Sequence, residues 1–178
     1  KPELVSPASG QTGVGRNAVL TVKVADPTND TLKVSFFRGF KYDAATKGNF
    51  SGFRNAVDVE PPQQKIPDGE QPFTKEDYER IRAADGIYLT DDAVEQFPYH
   101  RFQVQLDDSV KATDQIKLSW KGNSLEGRKV SMYVWSPAKQ QWTVVDQKVA
   151  GTEDFELGAW ITAGEFAEDR TIQVLVQD

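Results

Sequence analysis

A chain of 178 residues, 38% hydrophobic and 11% aromatic, carries enough apolar material for one substantial core or two small lobes sharing an interface. Its net charge is −6 and its pI near 4.9, and its 21 Lys and Arg are dispersed, so it lacks the clustered positive charge that phosphate backbones or anionic membranes require. Mean hydropathy is −0.56, no apolar run approaches the roughly 20 residues of a bilayer span, and the absence of cysteine excludes thiol catalysis, disulfides and Cys-ligated zinc.

The first residues, KPELVSPASG, lack the charged start and apolar core of a signal peptide. A secreted protein would therefore appear here as a mature chain or a piece of one. Pro2, Pro7, Gly10, Gly13 and Gly15 make a turn-rich lead-in. Leu20, Val22 and Val24 then alternate with polar residues, as do Leu32, Val34 and Phe36, and Asp26-Pro27-Thr28-Asn29-Asp30 supplies the loop between them. From Phe40 to Ile66 the periodicity fades into Gly, Asn and Pro, with one short strand expected around Ala56 to Val59. Pro61–Gln71 is read as the seam between lobes.

A helix is expected over 75–85. Thr74 and Asp77 stand at capping-box spacing, Phe73 and Tyr78 at the spacing of a hydrophobic staple, and Gly86 where a helix stops. Strand signals resume at Ile87-Tyr88-Leu89 and at Phe102, Val104 and Leu106. The stretch Asp114 to Asp146 reads as three strands joined by two turns and holds three of the four tryptophans. Ile116, Leu118 and Trp120 alternate first; Val130, Met132 and Val134 alternate after a Gly/Asn/Ser turn; Ser136-Pro137 breaks the run before Trp142 and Val144. Phe155 and Leu157 follow, with Trp160 and Ile161 close behind. The chain closes on Ile172, Val174 and Val176, where Leu175 interrupts the polar side and points to burial on both faces.

These patterns predict an all-β protein, an antiparallel β-sandwich with one short helix. The expected lobes are an Ig-like one over 1–62 and a jelly-roll-like sandwich over 63–178. The first is short for an independent domain, so one composite sandwich is the alternative.

Catalytic signatures are absent. His100 is the single histidine, and no G-x-S-x-G elbow exists to seat a triad serine, which makes a structural role the expectation. Acidic pairs are plentiful, but no two carboxylates stand out as a hydrolytic pair. Calcium suits clustered loop oxygens better, and Asp26, Asn29 and Asp30 are the candidate ligands, against the plainer reading of a turn with solvated carboxylates. Tyr133 and Trp135 have the opposite parity to Val130, Met132 and Val134. With Trp142 they are the candidate ligand-binding aromatics: they either project outward to stack on a sugar ring or lie buried beneath a loop.

Several runs resemble known modules. LVSPASGQTGV with NAVLTVKVADPTNDTLKVSFFRG is similar to the Ig-like module of large secreted bacterial proteins. AVDVEPPQQKIPDGE, PYHRFQVQLDD, IKLSWKGNSLEGRKVSMYVWSPAKQQWTVV and TIQVLVQD resemble the non-catalytic β-modules that accompany exported bacterial metallophosphoesterases. The W-K-G-x-S…V-x-M-Y-x-W…W-T pattern is also similar to a galactose-binding-type jelly roll. That family's enzyme holds two metals through Asp-x-His, Gly-Asp-x-x-Asp and Gly-Asn-His motifs, none of which occurs here. The resemblance therefore implies a non-catalytic accessory or interaction module at an extracellular or cell-surface location, partnered by a glycan or a neighbouring catalytic domain. The alternative it leaves is a carbohydrate-binding module.

Overall fold

The computed structural model describes residues 3–9, 11–15, 18–25, 27–28, 31–34, 39–45 and 48–178. The chain divides into two units between Gly39 and Phe40. In the smaller unit, β1 (Glu3–Ser6) pairs antiparallel with β2 (Thr21–Lys23), Leu4 opposite Val22. The expected strand from Leu32 to Phe36 is irregular at Leu32 and Val34, and Phe36 lies outside the described residues.

The larger unit is an antiparallel β-sandwich. Its main sheet takes the order β4-β3-β5-β10-β7-β8, and a second sheet pairs β6 with β9. The strands are β3 (Phe50–Val57), β4 (Gln71–Pro72), β5 (Phe97–Gln105), β6 (Gln115–Gly122), β7 (Lys129–Ser136), β8 (Gln141–Val149), β9 (Phe155–Thr162) and β10 (Thr171–Gln177). The final strand of the sequence is thus central in space, with Val174 opposite both Phe102 and Val134.

Side chains alternate across a strand, so this register sorts the sheet into two faces. Val130, Met132 and Val134 share one face with Ile172, Val174 and Val176, where Leu118 of β6 and Leu157 and Ile161 of β9 close over them. Each large side chain buried there contributes about 1.5–3 kcal/mol. Leu175, Arg101 and Tyr133 point the other way, and β10 is buried on both faces as its sequence anticipated. A bulge between Met132 and Tyr133 shifts the β7–β8 register, so that Asp146 lies opposite Met132 but Val144 opposite Tyr133. Val145 is the extra residue and packs against the core, while Val144, of the same parity as Trp142, is 51% exposed.

Helix α1 (Lys75–Ile81) begins as its sequence dictates. The Thr74 hydroxyl accepts from the Asp77 backbone N–H, the Asp77 carboxylate accepts from the Thr74 N–H at 2.8 Å, and the Phe73 and Tyr78 rings meet edge to face at 5.7 Å. It stops sooner than expected, capped at Arg82, and Gly86 lies beyond it in the following turn. Ile87-Tyr88-Leu89 is irregular backbone, with the Tyr88 carbonyl accepting from the Arg80 guanidinium instead of a neighbouring strand. A single-turn helix, α2 (Ala163–Phe166), follows β9.

The division of the chain also differs from the expected break at 62/63. β3 pairs with β5 along its whole length, from Phe50↔Val104 to Val57↔Phe97, so residues 50–57 are built into the larger unit. The Pro61–Gln71 stretch lies within that unit and covers one face of its sheet.

Candidate functional site

The segment Asp58–Glu70 is a strap lying across the face opposite the main core. It is fixed at four points along its length. The Gln177 amide donates to the Val59 carbonyl at 3.3 Å, and the Trp142 indole N–H donates to the Gln64 carbonyl at 2.9 Å. Glu60 accepts from the Tyr133 hydroxyl at 2.8 Å and the Ser131 hydroxyl at 3.0 Å, with Lys129 Nζ at 3.1 Å. At the far end, Glu70 takes Arg101 in a fork: Nε donates to Oε1 at 2.8 Å and Nη2 to Oε2 at 2.5 Å. Arg101 Nη1 also donates to Gln173, and its guanidinium lies 4.2 Å from the Phe53 ring centre.

This network shifts the groups inside it. Burial raises the Glu60 carboxyl, but the hydrogen bonds from Tyr133, Lys129 and Ser131 outweigh it and hold the group below its ordinary value. Burial pushes the Tyr133 hydroxyl up to about 12, with the Glu60 carboxylate adding to the rise and Ser131 opposing it. Burial, then the Glu70 carboxylate, pushes Tyr99 up further still.

The candidate ligand-binding aromatics all lie beneath this strap. Tyr133, Trp135 and Trp142 are 6%, 4% and 5% exposed, and the two tryptophans pack edge to face at 5.5 Å. Their parity was legible, since they do leave the main core face; what covers them is the strap, whose sequence has no periodicity to announce it. None presents an open ring face to a ligand. A cavity of about 190 Å³ lies beside Trp135, lined by Lys65, Gln103, Glu168, Thr171 and Gln173. Its rim is drawn together by the Lys65–Glu168 ion pair at 2.6 Å.

His100 sits on β5 with Nε2 2.7 Å from Asp91, and its ring stands edge-on to Phe73 at 5.5 Å. Arg54 bridges Asp77 and Asp91 at 3.5 Å each, so the histidine belongs to the charged junction between α1 and the sheet. Among the described residues, no three His, Asp or Glu side chains gather as a set of metal ligands. The calcium candidates Asp26, Asn29 and Asp30 lie outside the described residues. No helix among those residues is long and apolar enough to cross a membrane.

Among the described aromatic residues, Trp160 is the most open. Trp160 is 68% exposed on β9, opposite Lys117 of β6, on the sheet face turned away from the core. The sequence carried the signal: Trp160 has the opposite parity to Phe155 and Leu157, and grouping it with them hid its outward direction.

A relative in Bacillus subtilis (strain 168), the uncharacterized protein YvnB, is 43% identical over 162 residues, which cover 90% of this chain and 12% of that protein. The chain thus spans about an eighth of the length of that relative. No solved structure matches it. Residues 48–178, which contain both sheets of the sandwich, match the family AF_1625_C, described as an uncharacterized protein's C-terminal domain. The chain belongs to that C-terminal domain family.

Proposed function

We propose that this chain is a non-catalytic accessory module of a larger secreted or cell-surface bacterial protein, serving as spacer or docking platform beside a hydrolase. The observation that carries this reading is proportion: the chain corresponds to 12% of a relative with which it shares 43% identity. Most of such a protein lies elsewhere. The sandwich itself supports the reading, because one sheet face is filled by the core and the other is held under a strap by the Glu60 and Glu70 networks. That construction suits a rigid spacer. The resemblance to modules accompanying exported metallophosphoesterases gives the class of hydrolase.

The test compares the whole protein with a version lacking residues 40–178, using a small soluble phosphodiester as substrate. Turnover is retained in the deletion, while retention at the cell surface or on an insoluble substrate falls. Turnover by residues 1–178 alone, or its loss in a deletion whose remainder is folded, would overturn the reading.

A further inference from the structure

The outer face of the β6–β9 sheet is polar around a single flat ring. Gln115, Lys117, Ser119 and Lys121 of β6 point outward, matched on β9 by Glu156, Gly158, Trp160 and Thr162. Directly opposed residues in an antiparallel pair lie about 5 Å apart, and diagonal ones about 7–8 Å. Trp160 therefore has Lys117 across from it, with Gln115 and Ser119 at its diagonals. On its own strand it is flanked by Gly158 and Thr162.

Two features make this a platform. Gly158 puts no side chain beside the indole, although a Cβ there would have room, its nearest neighbour being the Leu118 carbonyl at 3.6 Å. The polar groups around the ring are already set by one another. The Ser119 hydroxyl donates to Glu156 at 2.7 Å, and the Gln115 amide donates to the Thr162 hydroxyl at 2.9 Å.

We propose that this face binds a glycan chain, with one pyranose ring stacked on Trp160. A sugar ring offers an apolar C–H face to an aromatic plane and hydroxyls at its edge. Those hydroxyls find an acceptor in Glu156, donors in Lys117 and the Gln115 amide, and both in Ser119 and Thr162. A protein partner would need a larger apolar centre, and Trp160 is the one large apolar side chain on this face. A nucleic acid strand would need a positive track; here Lys117 and Lys121 are offset by Glu156 on a chain of net charge −6. The site is independent of the accessory reading, since it uses only this chain's own surface.

The experiment is affinity electrophoresis and tryptophan fluorescence against mixed-linkage glucan, xylan, galactan, polygalacturonate and chito-oligosaccharides. It is run on the wild-type chain, Trp160→Ala, Trp160→Phe and Gly158→Thr, each verified as folded by circular dichroism. At least one glycan retards the wild type and changes its emission saturably. Trp160→Ala weakens that binding by roughly tenfold or more, the scale of one lost stacking contact. Trp160→Phe retains part of it, and Gly158→Thr reduces it by crowding the ring. Binding that survives in Trp160→Ala, or no binding to any of these glycans, overturns the proposal. So does Trp160-dependent self-association or oligonucleotide binding without glycan binding, which would assign the face to a second copy or to nucleic acid.

Discussion

Arg101, at the middle of β5, holds Glu70, at the end of the strap, in a two-pronged ion pair with side chains only 1% and 5% exposed. A buried ion pair is weak evidence of stability in itself, because desolvating both charges offsets most of their attraction. What it does fix is position: Glu70 has one partner geometry to satisfy, and the strap must end there. Arg101→Met leaves the Glu70 charge buried without its cation, with only the Tyr99 hydroxyl donating to it at 3.0 Å, and is expected to destabilise the fold by about 3–5 kcal/mol. Arg101→Met with Glu70→Met removes both charges and recovers most of that loss. Urea denaturation of the two single mutants and the double mutant measures the coupling. A double mutant as unstable as Arg101→Met would show that the pair does not anchor the strap.

Gly52 is the floor on which Phe73 rests. A Cβ at Gly52 would lie 2.1 Å from the Phe73 ring, and the Gly52 N–H donates to the Tyr78 hydroxyl at 2.9 Å. One glycine thus seats both rings of the hydrophobic staple that opens α1. Gly52→Ala is expected to lift the helix from the sheet and cost about 1–3 kcal/mol, the usual range for overpacking. Amide exchange would speed up selectively in residues 73–81. An unchanged melting temperature and unchanged exchange would show that the helix is held by other contacts.

Local chemistry was legible in the sequence wherever neighbours in the chain are also neighbours in space. The α1 cap, the staple and the alternation of β6, β7 and β10 follow from residues within a few positions of one another. Features that depend on distant partners were not. β3 finds β5 across forty or more residues, and the strap's anchors Arg101, Tyr133 and Trp142 lie 31, 73 and 78 residues from their partners Glu70, Glu60 and Gln64 on it. For that reason the strap read as a seam between lobes, and the rings beneath it as candidates for a surface. The β7–β8 bulge hides similarly, since one extra residue between Val144 and Asp146 leaves no mark in the local sequence.

Glu60 gives the fold a dependence on acid. Burial opposes its charge, but the hydrogen bonds from Tyr133, Lys129 and Ser131 prevail and hold its carboxyl below the ordinary 4.5. A group depressed in the folded state stabilises the fold above its unfolded value, and that contribution is lost as pH falls through the folded value. Melting temperature should therefore decline as pH drops below about 4.5, and Glu60→Gln should flatten the decline while lowering the neutral-pH value. Asp77 contributes in the same direction: burial opposes its charge, and the Thr74 N–H and hydroxyl outweigh it. Equal slopes for wild type and Glu60→Gln would remove the strap from the acid response.

The alkaline limb belongs to the tyrosines, which number five. Tyr133 is pushed up to about 12, first by burial and then by the Glu60 carboxylate against the relief from Ser131, and Tyr99 is raised further by burial and Glu70. A phenol whose folded value is raised stays protonated in the fold, so its stabilising contribution is intact below its unfolded value near 10 and is lost as pH rises through the folded value. Tyr88 also rises, chiefly through its hydrogen bond to Asp154, but it is surface-exposed and should ionise without unfolding. Phenolate absorbance followed against pH should show Tyr88 titrating reversibly. Tyr99 and Tyr133 should appear only together with the collapse of the circular dichroism signal. Tyr133→Phe should reduce that late step by one phenol and leave the early one unchanged. Ionisation of Tyr99 and Tyr133 before any loss of structure would mean that the strap opens on its own and does not seal the sheet face beneath it.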